Sequence, residues 1–168
     1  SNGANGTDPG IRWLFASSTT MADPSAGNIR LNNATLASVT AVAVHYSSGE
    51  TGNPSVSNWV KGWDDSTSTT VLGTLVIKKA SAPQNFIVLH VNAALTDNTT
   101  WAQIPVTYVD SNGSFSASDV LSVQFFRAGN KGTDGAGTGD VSAASNFGTD
   151  NRILRSDGTT KGAQSSAV

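Results

Sequence analysis

The sequence predicts an all-β fold: an antiparallel β-sandwich or jelly-roll-like knob of about seven or eight strands with one short helix, flanked by extended glycine-rich segments. Three observations carry this expectation. Apolar and polar residues alternate with a period of two through most of residues 11–127; the alternating segments are short and end in turn-forming residues; and long helical patterns do not separate them. Composition agrees, since charged residues are 13% of the 168, against roughly 25% in ordinary soluble domains, while Ser, Thr, Asn and Gly abound. A chain of this length supports one hydrophobic core.

Residues 1–10 carry Gly3 and Gly6 in triplet register before an Asp8-Pro9-Gly10 turn, and read as a connector. Residues 11–16 (IRWLFA) fit a first strand, with Trp13 and Phe15 on one face and Arg12 and Leu14 on the other. A loop around Asp23-Pro24 leads to a short second strand over 28–31, closed by Asn32-Asn33. Residues 36–46 (LASVTAVAVHY) read as one strand, in which the small Ala41 and Ala43 predict close packing on their face. After the turn-rich stretch 47–53 the period changes. Val56, Trp59, Val60 and Trp63 follow the spacing of one helix face behind Asn53-Pro54, predicting a helix or helical turn over 55–64 that Asp64-Asp65 ends. Four longer strands follow over 71–79, 86–92, 100–109 and 120–127. Asp110-Ser111-Asn112-Gly113 reads as a hairpin-type turn, and Pro105 marks an edge strand or a bulge. Residues 11–128 are thus the knob.

Beyond it, glycine recurs every third residue at Gly129, Gly132 and Gly135, so 129–139 reads as a collagen-like linker. Only glycine fits at the crowded axis of three such chains. The triplets are few and lack proline, so they need neighbouring trimeric structure to offset their ordering entropy. Residues 140–168 are too poor in apolar side chains to form a core and read as an extended connector. A start at Ser1, with a glycine repeat under way, is expected of an excerpt from a longer chain.

The final stretch, 149–168 (TDNRILRSDGTTKGAQSSAV), resembles a segment that recurs in tail fibres and tail spikes of tailed bacteriophages. There, a similar run with an Asp-Asn, an Arg, an Asp-Gly-Thr-Thr and a Gln-Ser-Ser leads into further trimeric β-structure. Residues 97–127 also look like a domain found between collagen-like repeats of phage tail proteins. The resemblance implies a homotrimeric virion fibre without a cofactor, made in the host cytoplasm and joined to other virion tail proteins. Its role would be attachment to a bacterial surface glycan or protein receptor.

The residues bound the chemistry independently. A net charge of -2 without a Lys/Arg cluster argues against nucleic acid, and no apolar run approaches the length of a membrane-inserted span. The absence of cysteine removes thiolate nucleophiles and thiolate metal ligands. His45 and His90 lack the spacing of a catalytic or metal motif, and Asp97-Asn98 and 110–113 lack that of a calcium loop, so no metal site is expected. Asp64-Asp65 beside Trp59 and Trp63 is the most chemically suggestive cluster: carboxylates next to an aromatic platform suit sugar hydroxyls or glycosidase chemistry. The plainer alternative puts the tryptophans in the core and the aspartates at a helix end. From Ser/Thr/Asn-rich loops and the expectation of exposed aromatics, Tyr46, Glu50 and Trp63 are the glycan-binding candidates. A tail-spike-type depolymerase and a purely architectural spacer are the competing functions.

Overall fold

The computed structural model describes residues 10–132, together with 154–156 and 163–165. The first unit contains β1 (Ile11–Phe15), β2 (Asn28–Leu31), β3 (Ala41–His45), α1 (Ser57–Lys61), β4 (Gly73–Lys79), β5 (Ala82–Val91), β6 (Thr96–Asp97), β7 (Trp101–Asn112) and β8 (Val120–Arg127). They form one 8-stranded sheet in the order β3-β2-β1-β8-β4-β5-β7-β6, and β3 also pairs with β7. That extra pairing closes β3, β2, β1, β8, β4, β5 and β7 into a seven-stranded barrel, with β6 as a short addition to β7. Closure removes the sheet edges that a sandwich would have had to protect.

The expected sandwich is therefore replaced by a barrel, and the expectation of a wholly antiparallel sheet also needs correcting. Strand directions cannot alternate all the way round a ring with an odd number of members, so one parallel pair is obligatory. β1 and β2 supply it, with Leu14 opposite Asn28 and Phe15 opposite Ile29. A parallel pair needs a long crossover, and residues 16–27 provide one. This crossover is tied to β2 and to the residue before β7: Thr20 O accepts a bond from Arg30 Nη1 at 2.9 Å, and Asp23 accepts one from Thr100 Oγ1 at 3.0 Å. Ala41, Val42, Ala43 and Val44 are all buried.

Two other expectations are corrected. The predicted strand over 36–46 begins with a 3-10 turn, Leu36–Ser38, because Asn32 Oδ1 takes the backbone N–H groups of Thr40 (2.9 Å) and Ala41 (3.0 Å) and ties off the β2–β3 connection there. Pro105 lies in a strand flanked on both sides, not on an edge. Its carbonyl accepts from Asn92 N at 3.3 Å where the β5–β7 ladder ends, so the missing N–H costs only the reciprocal terminal bond. A bulge does occur in β7, at Val109, where the register against β5 shifts between Val88 and Leu89.

The barrel interior takes the inward residues of every strand, including Trp13, Ile29, Leu31, Val42, Val44, Leu75, Ile77, Ile87, Leu89, Val91, Ile104, Leu121 and Val123. The helix predicted over 55–64 forms as α1 followed by a 3-10 turn, Gly62–Asp64. It lies across one mouth of the barrel with Val60 and Trp63 fully buried. The compact unit runs through Lys131. Gly129 O accepts a bond from Ser66 Oγ (3.1 Å), and Lys131 N donates to Thr67 Oγ1 (3.0 Å), so the first glycine triplet is fastened to the knob.

In the second unit, β9 (Leu154–Ser156) and β10 (Ala163–Ser165) pair antiparallel within the segment read as an extended connector. Gly3, Gly6 and Gly135 lie outside the described residues. Among the described residues, no helix is long and apolar enough to cross a membrane.

Candidate functional site

Strand direction divides the barrel's loops between two poles. β1 begins, and β8 ends, at the pole that also carries α1, the β3–β4 connection and the 92–100 loop. Gly10 and Lys131 therefore stand at the same end, here called the connector pole. The distal pole carries the start of the β1–β2 crossover, the β2–β3 connection, the tight β4–β5 turn and the β7–β8 loop.

All three sequence-predicted glycan residues fall at the connector pole, where they do not form one open site. Trp63 is fully buried. Trp13 and Trp59 stack at 6.2 Å, Trp59 meets Trp63 edge-on at 5.1 Å, and Trp63 stacks on Phe125 at 5.5 Å. This chain of rings plugs the barrel mouth, so Trp63 offers no face to a sugar and the expected exposed platform is absent. Helix spacing of 56, 59, 60 and 63 points the residues inward, the plainer of the two alternatives read from the sequence. Gly73 makes room for the plug, because a Cβ there would strike the Phe125 ring and come within 2.9 Å of Phe126 O.

Tyr46 is only 5% exposed. Its hydroxyl donates to Asp97 Oδ1 at 2.7 Å, while Lys61 Nζ contacts Asp97 Oδ2 at 2.7 Å and sits 5.2 Å from the centre of the Tyr46 ring. Burial, and then the hydrogen bond to Asp97, push the Tyr46 hydroxyl well above its ordinary pKa. Lys61, then Tyr46, then the Thr99 N–H hold the Asp97 carboxyl down at about 2. The group is a lock between β3, α1 and β6, and every oxygen of Asp97 is engaged. Glu50 accepts from Arg12 N at 3.2 Å, and its neighbour Gly49 donates to Arg12 O at 2.6 Å. A Cβ at Gly49 would lie 2.9 Å from Trp13 Cα, so glycine permits this loop to cross β1. Glu50 thus anchors the 47–53 loop.

The remaining sequence candidates have local partners. Asp64 Oδ2 accepts from Leu95 N at 2.9 Å. His45 Nδ1 accepts from Ser47 N at 2.9 Å, and His90 stands opposite Thr74 in the ladder. Asp110 Oδ1 accepts from Ser111 N at 2.8 Å. Among the described residues, no group of three or more His, Cys, Asp or Glu side chains is arranged to hold a metal ion.

The distal pole holds a site that the sequence reading missed. A cavity of about 110 Å³ is lined by the apolar Phe15, Leu31, Leu36, Phe115 and Ala34 and by the polar Ser17, Thr19, Asn33 and Ser114. Phe15 and Phe115 pack at 5.5 Å with a 60° tilt. Phe15 N and O bond to Asp119 O and Ser118 N, both at 2.9 Å, which clamps the β7–β8 loop to β1. Lys79 Nζ meets Asp119 Oδ1 at 2.7 Å, and Ser116 N donates to Asp119 Oδ2 at 2.8 Å. Lys79, and then Ser116, lower the Asp119 pKa. The one clue in the sequence is Phe115 itself, a lone aromatic among small polar residues in GSFSAS, outside any alternating pattern.

No protein-family model matches this chain, and neither does any curated protein or solved structure.

Proposed function

We propose that this chain is a structural and adhesive component of a phage-like virion fibre, a barrel knob that assembles as a homotrimer through its glycine-rich flanks and attaches to the bacterial surface. The observation that carries this reading is the shared pole: Gly10 and Lys131, the two described ends of the barrel unit, stand at one pole, which leaves the opposite pole free to meet a surface. Gly129 and Gly132 add support. A Cβ at either would meet nothing within 4 Å and neither has a positive φ, so this chain alone does not require glycine there. Three chains around a common axis do require it. The resemblance of residues 149–168 to tail-fibre segments points the same way. A depolymerase would need paired carboxylates in a groove. Neither the distal cavity nor the shallow groove of about 380 Å³ beside Trp59 and Phe126 is lined by one.

The chain lacks cysteine, which permits a direct test. Ala117→Cys places one thiol on the exposed β7–β8 loop at the distal pole, and Ala94→Cys places one on the exposed loop at the connector pole. After coupling to a bulky polymer, binding to host cells should be lost for the distal conjugate and kept for the other. Undiminished cell binding by the distal conjugate would refute the reading.

A further inference from the structure

We infer that the distal cavity is a binding site for the ring of one neutral sugar residue; this rests on the attachment reading and assigns its recognition site. The lining fixes the ligand's chemistry. None of its nine residues is charged, so neither an anion nor a cation finds a partner within it. Its apolar members are the more buried ones, Leu31 fully and Phe15, Leu36 and Phe115 in part, whereas Ser17, Thr19 and Ser114 are exposed and Asn33 is half-buried, so the polar groups belong to its solvent side. A pyranose ring matches that division, with its C–H face on an aromatic surface and its hydroxyls at the edge. A few placed polar groups over an apolar floor are usual for small-molecule sites.

Asn33 keeps an open donor. Asn33 Oδ1 accepts from Thr35 N at 2.8 Å, which orients the amide and leaves Nδ2 for a ligand oxygen. The walls are held independently of any ligand. Asn32 ties off the β2–β3 connection, and Asp119 holds the loop that carries Phe115. The site is therefore largely preformed, which lowers the ordering cost of binding.

The test uses the full chain and saturation-transfer NMR with glucose, galactose, rhamnose and N-acetylglucosamine as separate probes. At least one should show transfer. Phe115→Ala should weaken its binding about tenfold by removing the aromatic face. Asn33→Asp is nearly isosteric, keeps the acceptor for Thr35 N and replaces the free donor by a charge, so it should abolish transfer while leaving the melting temperature unchanged. Absence of transfer from all four sugars overturns the inference, as does transfer that survives both substitutions. Cell binding separates the two claims: variants that lose sugar but hold cells like the parent refute the cavity as recognition site and leave attachment standing. A parent chain that binds sugar and no host cell refutes attachment and leaves the cavity standing.

Discussion

At the connector pole, Trp59 of α1 fills the barrel mouth above Trp13 together with Trp63 and Phe125. At the distal pole, Phe15 and Phe115 pack on each other beside a cavity of about 110 Å³ whose rim is hydroxyls and one amide. The interior side chains fill a small barrel along its length, so each mouth is closed by whatever packs over that core. This chain concentrates large rings at the mouth where the connectors leave and spares the other. On the proposed reading, stability and recognition are separated by the length of the barrel, and altering one should leave the other.

The largest test of that separation is Trp63→Ala. It deletes a fully buried ring at the centre of the plug, and truncations of that size cost about 3–5 kcal/mol. Thermal unfolding should show a drop of many degrees, with sugar transfer retained well below the new midpoint. Sugar binding that disappears from the still-folded variant would show that the poles are coupled.

Tyr46→Phe is gentler and has a pH signature. A hydroxyl with a raised pKa stabilises the fold fully below the unfolded value, near 10, and loses that contribution as pH rises toward the folded value. Asp97 works in the opposite direction. Its pKa is depressed to about 2, so its contribution is full above the unfolded value, near 3.9, and fades as pH falls toward 2. The parent should therefore lose stability above about pH 10 and below about pH 4. Tyr46→Phe should melt lower at pH 7 and lack the part of the alkaline loss that Tyr46 causes. An unchanged alkaline slope would mean that Tyr46 is not the group responsible.

These tests also show what the sequence made legible. Local patterns held in places: β8 spans Val120–Arg127 as read, and the spacing of Val56, Trp59, Val60 and Trp63 located the helical segment and its buried face, whereas residues 110–112, read as a turn, continue β7. Closure was not local. Nothing in residues 41–45 or 101–105 says that they pair across more than fifty positions, and without that pairing seven strands look like two sheets. The same limit hid the distal cavity, which joins residues near 15–19, 31–36 and 114–115 that become neighbours only through the barrel. Tyr46 and Trp63 attracted notice as aromatics beside polar loops, but a large ring near a loop is equally the material for a plug. Only the fold distinguishes the two uses.

Phe115→Ala probes the distal side of the comparison. Phe115 is partly buried and packs on Phe15 at the margin of the core, so its loss should cost about 1 kcal/mol, a fraction of the Trp63 effect. Calorimetry should find the barrel folded at 25 °C with sugar binding reduced. A cost as large as that of Trp63→Ala would mean that both mouths are sealed by aromatics and that the cavity is a packing defect.

Gly129→Ala should have the smallest effect on the barrel. The added methyl meets open space and the backbone is not in the left-handed region, so the unfolded chain loses freedom while the folded knob loses nothing. Such a change stabilises by about 0.4–1 kcal/mol. The monomeric knob should accordingly melt at the same temperature or slightly higher. Assembly follows the opposite rule if glycine is needed at a three-chain axis: the methyl groups of three copies would collide, and sedimentation of the full chain should show the trimer giving way to monomer. A variant that is both more stable and fully trimeric would remove Gly129 from the proposed axis.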